Sequence, residues 1–254
     1  MSDVIASQWL ALRSVRSTYW LLFSLVVALA GAWAVGTTMV SAWDAASAAD
    51  KAVFESADMS VVIGPLAQLV LAILGALAVT AEYRTGSITT TLTAVPNRLR
   101  LLAAKTLVVA GVTGAAAVFV ALVTAGLSLQ IAGDRPPPIE PWESTGDAVT
   151  SGLAGVAVAV AAALVGVGLG AALRSSAGAI AAITGLLFVA PVVSVYLPSP
   201  WDERLFGVLL PSLVGQLTGA TDYALGPVGA GVALLAYPVV ALGAGALVLL
   251  RRDA

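Results

Sequence analysis

Long runs of apolar residues alternate along the chain with short connections that hold nearly all of its charge. Six runs are long enough to cross a bilayer, which takes about 20 apolar residues as a helix. They cover about 18–43, 59–81, 101–129, 148–173, 177–197 and 228–250. Ahead of the first run, Ile5, Trp9 and Leu12 recur at helical spacing while Asp3, Ser7 and Ser14 lie on other faces. That pattern predicts an amphipathic helix lying in the membrane interface. Between runs five and six, Leu205, Phe206, Val208, Leu209, Leu210, Leu213, Val214 and Leu217 form an apolar stretch too short to span. It predicts a re-entrant or interfacial segment. Pro191 and Pro238 fall inside spans, where a proline removes a helix hydrogen bond and introduces a kink. The expected fold is all-α, with residues 1–254 forming a single transmembrane domain of six helices.

A rival reading makes residues 1–34 a cleaved signal peptide, since Ala30, Gly31, Ala32 and Ala34 offer small-residue cleavage sites. The apolar run continues past them, beyond the roughly 7–15 residues of a signal-peptide core. A span is therefore preferred.

Composition agrees with lipid as the solvent. Hydrophobic residues make up 59% of the chain and charged residues 10%, against roughly 25% charged in a soluble domain. Six spans leave no length for a large soluble domain. The chain has no Cys and no His, which removes disulfides, thiolate metal sites and the commonest proton shuttle.

The charges divide by side. One set of connections holds Arg13, Arg16, Arg84, Arg98, Arg100, Lys105, Arg174, Arg251 and Arg252 against Asp3, Glu82 and Asp253. The alternate set holds Asp44, Asp50, Glu55, Asp58, Asp134, Glu140, Glu143, Asp147, Asp202, Glu203 and Asp222 against Lys51, Arg135 and Arg204. Because Lys and Arg concentrate on the cytoplasmic side, residues 82–100 and both termini are expected inside a bacterial plasma membrane.

Several chemistries are missing. The sequence contains no GxxxxGK[ST] loop and no HExxH, so the chain itself is not expected to be an enzyme. No ionisable residue is expected deep within a span, which argues against ion-coupled transport. Lys105 comes closest and is expected to snorkel to the inner surface. Gln68, Thr184 and Ser24 are candidates for lining a substrate path, Gln68 foremost because its amide needs several partners in lipid.

The connection after the second span reads Glu82-Tyr83-Arg84-Thr85-Gly86-Ser87-Ile88 and continues through Ala94-Val95-Pro96 to Arg98 and Arg100. With Trp9, Leu12, Arg13 and Ser14, and with Thr18, Tyr19 and Trp20, it resembles the permease subunits of type-two, six-helix ATP-binding-cassette exporters, actinobacterial members in particular. The resemblance implies a cytoplasmic coupling helix, continuous with spans two and three, and an outer re-entrant hairpin before span six. It implies contact with an ATPase partner through Glu82, Tyr83, Arg84, Gly86, Ile88, Arg98 and Arg100. Glu82 either orients that helix or pairs with Arg84, Arg98 or Arg100. The implied partners are two ATPase subunits, which hold the ATP and magnesium, a second permease as homo- or heterodimer, and membrane lipid. No cofactor in this chain and no nucleic acid are implied. Gly166 and Gly170, a small-xxx-small pair, are then expected to pack within one subunit. The implied cargo is a hydrophobic or amphiphilic drug, antibiotic, peptide or lipid. The alternative is a non-transporting six-span scaffold or assembly protein.

Introduced cysteines are clean probes of the topology, as the chain has none of its own. Ser87→Cys is expected to resist an impermeant thiol reagent in intact cells and to react once the membrane is opened. Labelling in intact cells would reverse the assignment.

Overall fold

The computed structural model describes residues 1–95, 97–221 and 225–251, with the side chains of Leu92 and Ala94 excepted. Pro96, Asp222, Arg252 and Asp253 of the motif and charge pattern lie outside the described residues.

Among the described residues every regular element is helical. In chain order they are α1 (Ser2–Ser14), α2 (Arg16–Ala45), the single turn α3 (Ala48–Lys51), α4 (Ser60–Thr85), α5 (Ser87–Ala94), α6 (Arg98–Ala132) and α7 (Thr145–Leu173). There follow α8 (Ser176–Thr184), a π-helical turn (Gly185–Val189), α9 (Ala190–Val195), α10 (Trp201–Val208), α11 (Leu213–Thr218) and α12 (Gly226–Arg251). Helices α2, α4, α6, α7, α12 and the continuous α8–α9 unit each carry an 18-residue window of mean hydropathy between 1.9 and 2.4. By length and composition these six suit membrane crossing, and they suggest a multi-pass membrane protein.

Two helices run further than the apolar pattern indicates. Helix α4 continues through Glu82–Thr85 and stops at Gly86, whose φ of 72° is left-handed and natural for a residue without Cβ. Helix α6 begins at Arg98, where the Asn97 side chain accepts from the Arg100 N–H at 2.9 Å. In span five the adjustment to Pro191 lies one turn ahead of the proline. The Ala190 N–H reaches back to the Gly185 carbonyl, so a π turn absorbs the break in the α ladder.

Helix α7 is the centre of the bundle. Of its most apolar window 61% is buried, against 44% for α4 and 17–28% for the other four. Glycines bring its backbone against both neighbours. A Cβ on Gly75 of α4 would overlap the Ala163 carbonyl of α7, and one on Gly166 would overlap the Ala72 carbonyl of α4. A Cβ on Gly170 would lie 2.8 Å from the Ala76 carbonyl oxygen. Towards α12, a Cβ on Gly168 would overlap the Ala241 backbone, and one on Gly245 would lie 2.9 Å from the Gly168 carbonyl oxygen. Lipid supplies no hydrophobic drive between helices, so association rests on such close approach.

The short elements cover the bundle. Helix α1 turns into α2 at Val15, where the Thr18 hydroxyl donates to the Leu12 carbonyl at 3.0 Å. Its inward face carries Ile5, Gln8 and Leu12, with Gln8 and Leu12 buried, whereas Trp9 is 48% exposed. The face is thus rotated from the expected Ile5–Trp9–Leu12 grouping, because Gln8 has a partner inside. Helices α10 and α11 are joined by a 3-10 turn whose Leu210 and the following Leu213 are fully buried beside Val158, Ile183 and Leu234. Their polar groups are satisfied locally: Ser212 Oγ donates to the Phe206 carbonyl at 2.7 Å and Gln216 Nε2 to the Gly207 carbonyl at 2.6 Å.

Gly166→Ala is expected to destabilise the fold by about 1–3 kcal/mol or more, the usual cost of overpacking. Gly126→Ala, where a Cβ meets nothing within 4 Å, is expected to be neutral or to gain up to about 1 kcal/mol. Thermal unfolding of the two variants in detergent checks the contrast.

Candidate functional site

Glu82 sits one helical turn beyond Ala78 on α4, so both face the same neighbour. Lys105 sits two turns into α6, and Gln8 at the middle of α1. The fold brings the three together. Lys105 Nζ donates to Glu82 Oε1 at 2.5 Å, to Gln8 Oε1 at 2.7 Å and to the Ala78 carbonyl at 3.2 Å. All three ammonium donors are therefore used. Lys105 is 5% exposed and Glu82 14%. Leu12, Thr18, Leu74 and Val108 surround a cavity of about 50 Å³ beside them. Glu82 Oε2 is buried there without a hydrogen-bond partner among the described residues.

This arrangement corrects two expectations. Lys105 does not snorkel outward, because α1 covers it and Gln8 Oε1 accepts a hydrogen bond from its ammonium. Glu82 has Lys105 as its ion-pair partner, in place of the expected Arg84, Arg98 or Arg100. A charged pair therefore does lie within the spans. An uncompensated charge here would carry a desolvation penalty of several kcal/mol, and mutual pairing with complete donor use offsets it.

The other predicted contact residues divide by exposure. Arg84, Gly86 and Arg100 are exposed, Tyr83 and Arg98 are half-buried, and Ile88 is buried. Arg98 Nη1 donates to the Leu249 carbonyl at 2.6 Å, and Arg174 Nη2 to the Val248 carbonyl at 3.4 Å. Both carbonyls belong to α12, within three residues of Arg251, the last of its described residues. The Arg174 guanidinium also stands 5.3 Å from the Tyr83 ring centroid, and Ser176 Oγ donates to Thr80 Oγ1 at 2.8 Å. Polar contacts thus tie α4, α6, the α7–α8 turn and α12 together at one end. Helix α5 hangs from this end between left-handed Gly86 and non-helical Val95, so it is a separate helix and not continuous with either span.

The three candidate path residues do not converge. Gln68 is 3% exposed on α4 and lines a cavity among α4, α6 and α7. The Ser24 hydroxyl donates to the Leu21 carbonyl of its own helix at 2.7 Å, and Thr184 closes α8 ahead of the π turn. Neither lines the Gln68 cavity. Sequence reasoning missed Gln8, although a glutamine on an otherwise apolar helix face is a signal of a buried partner. At the opposite end, Arg135 meets Asp44 in a bidentate pair at 2.9 and 2.7 Å. The hydrogen bond to that carboxylate pushes the Arg135 guanidinium pKa further up.

No family model matches the chain, and no curated protein shows significant similarity to it.

Glu82→Gln and Lys105→Met are each expected to cost about 3–5 kcal/mol, since each strands the other charge. The double variant is expected to recover most of that loss. Unfolding free energies around this mutant cycle check it, and additive losses would show that the pair is not coupled.

Proposed function

We propose that the chain is the permease subunit of an ATP-driven exporter that moves a hydrophobic or amphiphilic compound out of the cell. It pairs with a second permease and with two ATPase subunits that bind ATP and magnesium. Both termini and α5 face the cytoplasm, α1 lies in the inner interface, and α10–α11 form the outer re-entrant element. The observation that carries this reading is α5 itself: an eight-residue helix set off by left-handed Gly86, at the end of the bundle where four elements are tied together. Such a helix suits a contact that receives motion and passes it on. Ile88 anchors it inward, while Arg84 and Arg100 remain exposed beside it for a partner. The Glu82–Lys105–Gln8 cluster then makes α4, α6 and α1 move together. The resemblance of residues 9–20 and 82–105 to type-two permeases supplies the direction and the energy source.

Gly86→Leu tests the transmission. A left-handed non-glycine residue costs about 1–3 kcal/mol, and coupling free energies of that size correspond to about 5–150-fold. No atom lies within 4 Å of a Cβ at Gly86, so the bundle itself is expected to fold and insert normally. With the complex reconstituted in vesicles, transport and substrate-stimulated ATP hydrolysis are expected to fall within that range while the ATPase is retained. Unchanged activity removes α5 from the mechanism. A wild-type chain that neither retains nor stimulates any ATPase favours the scaffold reading instead.

A further inference from the structure

The cavity beside Gln68 has a polar content that its walls do not satisfy. Its volume is about 80 Å³. A single water needs about 10–15 Å³ on the same measure, so the cavity takes on the order of five to eight non-hydrogen atoms. The deep wall is made of Ile63, Ala67, Ala117, Val120 and Ala159, all buried. The rim, with Ser60, Trp142, Ser151 and Gly155, is partly open. Among the described residues, three polar atoms of lining residues have no hydrogen-bond partner: Gln68 Oε1, Thr124 Oγ1 and Trp142 Nε1. Gln68 is 3% exposed and Thr124 2%. A buried polar group left unpaired costs about 1–3 kcal/mol, and here residues that carry such groups, from α4, α6 and the connection before α7, line one space. The donor and acceptor types are complementary to a single small group. The indole N–H donates, the amide oxygen accepts, and the threonine hydroxyl does either. Among the described residues no charged side chain lines the cavity.

We propose that this cavity is a binding site for a small neutral amphiphile, with an alcohol or amide head among Gln68, Thr124 and Trp142 and an apolar tail along α6 and α7. An ion is disfavoured because nothing in the wall would balance its charge. A pure hydrocarbon is disfavoured because it would leave all three polar atoms unpaired. The site lies within one subunit and stands on its own geometry, whether or not the chain works in an exporter.

Photolabelling of the purified full chain in phosphatidylcholine nanodiscs tests it. The probes are a five-carbon alcohol and a five-carbon hydrocarbon, each carrying an aliphatic diazirine, with labelled residues mapped by mass spectrometry. The alcohol is expected to label cavity residues roughly 2–10-fold more than the hydrocarbon, the preference that one net hydrogen bond provides. Excess hexanol is expected to compete, and excess hexanoate is not. Gln68→Leu is expected to abolish the preference for the alcohol. A Cβ at Gly155 has open space around it, so Gly155→Leu is expected to keep the fold and to extend into the cavity. It is expected to remove labelling by the alcohol while leaving thermal stability near wild type, which keeps the test valid should Gln68→Leu misfold. Equal labelling by the two probes, labelling confined to lipid-facing residues, or labelling that survives Gly155→Leu would each overturn the proposal. So would no labelling at all, as expected of a cavity that holds only water.

Discussion

The fold depends on how closely the backbone of α7 can approach α4 on one side and α12 on the other. In hydrocarbon, a leucine gains little by moving from lipid to a neighbouring helix, so side-chain burial does not hold helices together as it does in water. What remains is dispersion between atoms in contact, and that falls off within an ångström. Gly75, Gly166, Gly168, Gly170 and Gly245 remove the Cβ atoms that would hold the backbones apart. Of the three helices they join, α7 and α4 form the most buried part of the bundle. Helices α2, α12 and α8–α9 turn most of their apolar surface outward, as lipid contact allows.

A rigid frame of this kind makes a buried ion pair tolerable. Two charges out of water are stabilised only when the geometry is good and the remaining polar positions are satisfied. Lys105 meets that condition because the Ala78 carbonyl and Gln8 Oε1 accept hydrogen bonds from its other two N–H groups, whereas Glu82 Oε2 is left without a partner among the described residues. The pair also recruits α1, which otherwise presents only a few apolar side chains to the bundle. The contrast with Asp44 and Arg135 is informative. That pair has better bidentate geometry but lies in the open, where salt and water reduce such pairs to about 0–1 kcal/mol. The buried pair shapes the architecture, and the exposed one decorates a connection.

The six spans were legible in the sequence because length and apolarity are properties of a segment alone. Gly86 was legible as a boundary for the same reason, and Gly166 with Gly170 by their four-residue spacing. Gly75, Gly168 and Gly245 were not, since the chain has 25 glycines and only helix register shows which of them face another backbone. Lys105 was misread through the same limit. Its distance from the helix end predicts a reach to the surface, and nothing in α6 reveals that α1 folds across it. Gln68 stood out because an amide in lipid needs partners. That Thr124 and Trp142 would meet it depends on how α4, α6 and the residues before α7 are rotated, which no local pattern encodes.

One helix links the two polar places in the bundle. Gln68 and Glu82 are fourteen residues apart on α4, or about 21 Å along its axis. Gly75 stands midway between them, and it is there that α4 is held against the Ala163 carbonyl of α7. On either side of it, Ala72 and Ala76 are held in the same way against Gly166 and Gly170 of α7. The stretch between the two polar places is therefore clamped over more than one turn. It cannot slide without carrying these contacts out of register, and it cannot bend inward where backbones already touch. The close approach that holds the fold together thus also fixes the separation of the two polar places along α4.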